Sequence, residues 1–228
     1  MAAKYLRERA ALTKRHYECI DRAVRSDMPL QFLILWGKGE KRIADGSESR
    51  ACDWLSAYAG GVVKAWSPGV LIDIICCDTH ARLNGYGKEE IREYFESLAG
   101  CFKRLNASVR FMSRIWKRGG LDLERIKNLA FKHTFDDWSR LAGPKVNLVA
   151  MAEKCTRSDH PIEAARLYCA ARTLEHKILE KMFSGHLFVT SDRREFLLQP
   201  ALPILRITSW GKRSVKPWHI RNIARSVA

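Results

Sequence analysis

Two short apolar runs constrain the fold more than any other feature of this chain: "LQFLILW", residues 30–36, and "VLIDIICC", residues 70–77. Neither alternates polar with apolar positions, so each predicts a strand covered on both faces, as in a parallel sheet. Between them, "GKGEKRIADGSES" is a glycine-containing loop. A helix is expected from about Glu48 to Ala65, capped by Asp45 or Ser47, and Pro68-Gly69 turns the chain into the second run. A first helix is expected over 4–26, carried by Leu6, Ala10, Ala11, Leu12, Ile20 and Val24.

After the second run, "GKEEIREYFESLAGCFKRL" reads as a helix with early acids and late bases, and "SVRFMSRIW" as a third strand. Residues 121–157 read as short helices interrupted at Gly143-Pro144. A long helix follows in "HPIEAARLYCAARTLEHKILEKMF", with Pro161 in its first turn and Leu167, Ala171, Leu174 and Ile178 as its core stripe. "HLFVTS" and "PILRITSW" are further strand candidates. The expected fold class is α/β: a single Rossmann-like domain over 1–228, with a mainly parallel central sheet flanked by helices and a helical segment around 121–157.

In such sheets ligands bind beyond the carboxyl ends of the strands. Gly37 and Lys38 follow the first strand, and Asp78 and His80 follow the second, which makes them candidates for substrate binding and for acid or base chemistry. Cys76 and Cys77 are strand neighbours that point to opposite faces, so they cannot join Asp78 and His80 in one compact metal shell. Packed thiols are expected, and no metal. Seven cysteines without CxxC spacing give neither a disulfide framework nor a standard zinc site. Ser47 and Ser49 lack the GxSxG elbow that activates a serine. On the long helix, Tyr168, Arg172 and Glu175 follow i, i+4, i+7 spacing and share one face. They are either an amine-binding set or a surface Arg–Glu pair beside a tyrosine.

Charge is the least ordinary bulk property: 40 Lys+Arg against 25 Asp+Glu give +15. Such an excess points to a polyanionic partner. Between Cys101 and Lys132, nine bases (Lys103, Arg104, Arg110, Arg114, Lys117, Arg118, Arg125, Lys127, Lys132) face two acids (Asp122, Glu124). From Pro203 onward, six bases including Lys212 and Arg213 meet no acid, and Trp116, Trp210 and Trp218 are interleaved with the two basic blocks, which is compatible with base stacking. The N-terminus has no signal-peptide core and no window reaches the roughly 20 apolar residues of a membrane span. A cytoplasmic protein with no membrane partner is expected.

Two family resemblances follow. The order strand, loop, helix, strand ending in "CDTH", helix, basic strand resembles the cyclodipeptide synthases, Rossmann-like enzymes related to class I aminoacyl-tRNA synthetases. They join aminoacyl groups taken from two aminoacyl-tRNAs. That family's serine nucleophile belongs just after the first strand, where this chain has Trp36, Gly37 and Lys38, and its helical Tyr and Glu are four apart, against seven here. The comparison is closer to the divergent fungal branch that makes arginine-containing products. Separately, "WSPGVLIDIICCD", Lys38 and "LRITSWGKRSVKPWH" resemble the isocyanide synthases of pyoverdine- and dityrosine-type natural product biosynthesis, whose chemistry joins an amino acid's nitrogen to a carbon from a sugar phosphate.

Charge ranks these readings at the level of sequence, since an RNA needs an extended cationic surface and a sugar phosphate only a small pocket. The first expectation is therefore a tRNA-dependent aminoacyltransferase of the cyclodipeptide synthase kind, without cofactor or ATP. In it, Asp78, His80 and His219 would move protons, Tyr168 and Glu175 would hold the amino group, and Gly37, Lys38, Arg172 and Trp218 would line the pocket. Lys103, Arg104, Arg110, Arg114, Lys117, Arg118, Lys212 and Arg213 would carry the tRNA. The alternatives are an isocyanide synthase-like enzyme and a non-catalytic RNA-binding module.

Overall fold

The computed structural model describes residues 12–190 and 196–206. Five parallel strands stand in the order β3-β2-β1-β4-β5: β1 (Leu30–Trp36), β2 (Val70–Cys76), β3 (Ser108–Phe111), β4 (Leu187–Thr190) and β5 (Ile204–Arg206). This is a Rossmann-like α/β architecture. The chain moves outward from β1 to β3, then returns to the other side of β1, so the winding direction reverses between β1 and β4. A crevice at the carboxyl edge of those two strands is the usual ligand position in such a sheet.

The continuous apolar runs have the predicted cause. Phe32, Ile34, Ile72, Ile74 and Cys76 pack on one face, against α1 (Lys14–Arg25), α2 (Gly46–Ala65), α4 (Lys88–Ser97) and α5 (Ala99–Arg104). Leu33, Ile75 and Cys77 pack on the other, against α6 (Met112–Arg118), α7 (Leu123–Lys132), α8 (Phe135–Ala142), α9 (Leu148–Cys155) and α10 (Pro161–Met182). Cys76 and Cys77 thus serve opposite cores. Burial pushes the Cys76 thiol up to about 12 and also raises Cys77, so both are packed, inert thiols.

Asp45 caps α2 as expected, accepting from the Ser47 backbone at 2.7 Å while Glu48 accepts from the Asp45 backbone at 3.0 Å. Gly69 sits at φ +74° in the turn before β2, a conformation that favours glycine. The expected single helix over 87–105 is two, broken at Leu98. In α1 the buried residues are His16, Cys19 and Ala23, while Leu12 and Val24 are exposed. The part of the predicted first helix before residue 12 lies outside the described residues.

The third strand is shorter than "SVRFMSRIW" implied: β3 stops at Phe111 and the chain becomes helical at Met112. Met112, Ile115 and Trp116 then bury together at helical spacing. A short helix unforeseen in the sequence, α3 (Asp78–Leu83), starts immediately beyond β2 and carries Asp78 and His80.

Ala165, Cys169, Ala170 and Ala171 of α10 are small and buried, in the same core as Leu33, Ile75 and Phe188 of the sheet. α6 in turn approaches α10 at Gly119, where a Cβ would collide with the Ile178 side chain. Gly119→Ala is expected to force the two helices apart and destabilise the fold by about 1–3 kcal/mol, read as a lowered denaturation midpoint. An unchanged midpoint would show that this approach is not tight. Among the described residues no helix is long and apolar enough to cross a membrane.

Candidate active site

The carboxyl edge of β2 leads without a loop into α3, so the position of His80 is fixed by the strand end. Its Nε2 lies 2.7 Å from Glu175 Oε2. The other carboxylate oxygen, Oε1, accepts from Trp116 Nε1 at 2.5 Å. Glu175 is fully buried and His80 nearly so. Trp116 was a candidate stacking platform in the sequence; it is buried instead, its indole orienting a carboxylate. The Cys77 thiol donates to the Ile75 carbonyl at 3.7 Å.

The predicted i, i+4, i+7 face of α10 stands beside this pair. Tyr168 presents its ring edge-on to His80, with centroids 5.5 Å apart. The Arg172 guanidinium lies 5.8 Å from the Tyr168 ring and 5.5 Å from Phe196, and one of its nitrogens donates to the Leu198 carbonyl at 3.1 Å. Arg172 is buried, so the surface-pair reading of this face does not apply. The next turn brings His176, also buried, whose Nε2 meets no hydrogen-bond partner.

These two histidines are held in opposite protonation states. Burial alone would depress His80, but the Glu175 carboxylate overrides it and raises the imidazole to about 10, so it is charged at neutral pH. Burial pushes His176 down to about 3, helped by the cationic Arg172 and His80, so it stays neutral. The site thus holds one charged imidazole, on α3, and one neutral imidazole, on α10.

Asp78 lies at the same edge with its carboxylate engaged. Oδ1 accepts from the Ser113 backbone at 2.9 Å and Oδ2 from Arg82 at 3.1 Å, which ties α3 to the start of α6. Gly37 is exposed beyond β1, and its carbonyl accepts from the Tyr94 hydroxyl at 3.4 Å. Lys38 is buried, with its Nζ over the Tyr86 ring at 3.8 Å. Ser47 is occupied in the α2 cap, hydrogen-bonded to Asp45 and Lys41.

Lys103, Arg104, Arg110, Arg114, Lys117 and Arg118 are all exposed along the outer edge formed by α5, β3 and α6. Two of them are paired, Arg104 with Asp53 at 3.8 Å and Arg110 with Asp73 at 3.4 Å. Lys212, Arg213, Trp218 and His219 lie outside the described residues. Among those described, no group of three or more His, Cys, Asp or Glu has metal-binding geometry. A separate cleft of about 300 Å³, between α1, the end of α10 and residues 201–203, opens at the amino-terminal side of β5 and holds none of the predicted site residues. The buried His80–Glu175 pair and the strand ends, rather than that cleft, mark the candidate site.

Trp116 and His176 were not singled out for the site in the sequence. Met112, Ile115 and Trp116 at i, i+3, i+4 carried a helical signal, and His176 directly follows Glu175.

No family model and no curated protein matches the sequence. Solved structures of similar fold include PvcA from Pseudomonas aeruginosa and several cyclodipeptide synthases. PvcA aligns with a TM-score of 0.60 at 12% identity, over 96% of this chain and 80% of that protein. AlbC, a cyclodipeptide synthase from Streptomyces noursei, aligns with a TM-score of 0.39 at 11% identity, over 87% of this chain and 99% of that one. The tyrosyl-tRNA synthetase from Archaeoglobus fulgidus gives 0.45 at 16% identity, over 77% of this chain and half (50%) of that one. At such identities the likeness concerns architecture: this chain has a PvcA-like α/β fold.

Proposed function

We propose that the chain is an isocyanide synthase-like enzyme that joins the nitrogen of a free amino acid to a carbon of a sugar phosphate. The observation that carries this reading is the residue beyond β1. A tRNA-dependent cyclodipeptide synthase needs a hydroxyl nucleophile there, and this chain has Gly37 and a buried Lys38, with Ser47 committed to a helix cap. The sequence signatures around Pro68-Gly69 and Pro217-Trp218-His219 belong to the same reading, and the PvcA-like fold agrees with it.

Five of the described residues would have a task in that chemistry. Arg172, with cationic His80, would attract a carboxylate or phosphate into a dry site, where such contacts are strong. Neutral His176, whose Nε2 is without a partner, would offer the substrate an uncharged hydrogen-bonding group, and His80 would donate a proton to a departing oxygen. Tyr168 and Phe196 would supply apolar walls. Purified protein supplied with a panel of free amino acids and ribulose 5-phosphate is expected to consume the sugar phosphate only with an accepted amino acid, and RNase should change nothing.

One observation favours a second reading, the tRNA-dependent aminoacyltransferase: the exposed cations along the β3 edge exceed what a small substrate needs. A product formed only from charged tRNAs, and abolished by RNase, would install that reading in place of the first.

A further inference from the structure

We propose that Lys38 is a covalent catalytic residue, forming a Schiff base with the ketone carbon of a 2-ketose phosphate before the amino acid's nitrogen attacks it. The inference rests on the sugar-phosphate reading above. Lysine is almost never fully buried unless it is paired, yet Lys38 is 6% exposed. Its Nζ meets two loop carbonyls, Lys41 at 2.8 Å and Gly39 at 3.4 Å, and the face of Tyr86 at 3.8 Å. Among the described residues no carboxylate is in ion-pair contact with it. Glu90, the acid whose field it feels, gives both oxygens to Arg157 at 2.8 Å.

The two carbonyls and the aromatic faces hold the amine in place but supply no counter-ion for its charge. Lys38 also stands two residues beyond β1, at the carboxyl edge of the sheet, where ligands bind in folds of this kind. Burial lowers its pKa despite the opposing pull of Glu90, with a smaller contribution from the Arg157 cation, which enlarges the fraction of free amine, the nucleophilic form. Tyr94, 5.7 Å away by ring centroid, completes the aromatic wall.

The step balances without an oxidant or a further reactant. The Nζ lone pair adds to the ketone, an amine proton passes to the new hydroxyl, and water leaves to give the ketimine. The α-amine of the amino acid then adds to the same carbon, and the lysine amine departs with a proton. The net change is amine plus ketone to substrate ketimine plus water.

The test uses ribulose 5-phosphate alone with cyanoborohydride, followed by intact mass and peptide mapping of the wild type and Lys38→Arg. The proposal expects one reduced sugar phosphate per chain on the peptide holding Lys38, formed at least tenfold more slowly in Lys38→Arg. Labelling should increase with pH around a midpoint below the usual lysine range near 10.4. Equal labelling of both proteins, spread over surface lysines, would overturn it. So would an enzyme that turns over amino acid and ribulose 5-phosphate without a trapped adduct and keeps its kcat in Lys38→Arg; the sugar-phosphate reading would then survive. Site-specific trapping without turnover of any amino acid would support the lysine assignment and remove the broader reading.

Discussion

Glu175→Ala is expected to cost the fold about 3–5 kcal/mol, because it strands a buried imidazolium and an indole N–H together. In the intact protein one carboxylate satisfies both His80 and Trp116 and joins α3, α6 and α10. Glu175→Gln keeps an oxygen for one donor and removes the charge. It should cost less, and it should drop the His80 pKa from about 10 to below the ordinary histidine value, because burial would act unopposed. Denaturant titration reads the first effect and histidine NMR the second. Stabilities within 1 kcal/mol of wild type for both variants, against the ~3–5 expected for the alanine, would show that the triad does not hold these helices together.

Stability should fall on both sides of neutrality through two different histidines. His80 has a folded value of about 10 against 6.5 for an ordinary imidazole. Its contribution is fully present below 6.5 and is lost as pH rises towards 10. His176 has a folded value of about 3, so the native state resists its protonation; its contribution is present above 6.5 and lost as pH falls towards 3. Each shift carries at most about 5 kcal/mol by linkage, and a few kcal/mol is the expected scale. A denaturation series over pH should show His80→Gln flattening the alkaline limb and His176→Gln the acid limb. Wild-type and variant curves running parallel would contradict both assignments.

The sheet was legible because burial on two faces leaves a simple trace. Residues 30–36 are a strand with the predicted bounds, and 70–77 loses only Cys77. The local pattern is ambiguous where two periods overlap: "SVRFMSRIW" is apolar enough for a strand, but only the edge residues Ser108–Phe111 pair, and helical burial takes over at Met112. The face holding Tyr168, Arg172 and Glu175 followed from helical spacing alone. The partners of Glu175 did not, since His80 is 95 residues away and Trp116 59, and such pairings leave no local signature. The basic block was legible as an exposed edge, whereas its ranking of partners rested on charge alone and carried no information about the residue beyond β1.

In the proposed reaction, nitrogen from a free amino acid becomes bonded to carbon from a sugar phosphate. The most direct measurement supplies a 15N-labelled amino acid and uniformly 13C-labelled ribulose 5-phosphate to RNase-treated protein and examines the product by NMR. A product with a new one-bond 13C–15N coupling is expected. A cyclic dipeptide free of 13C, formed only when charged tRNA is restored, would contradict it.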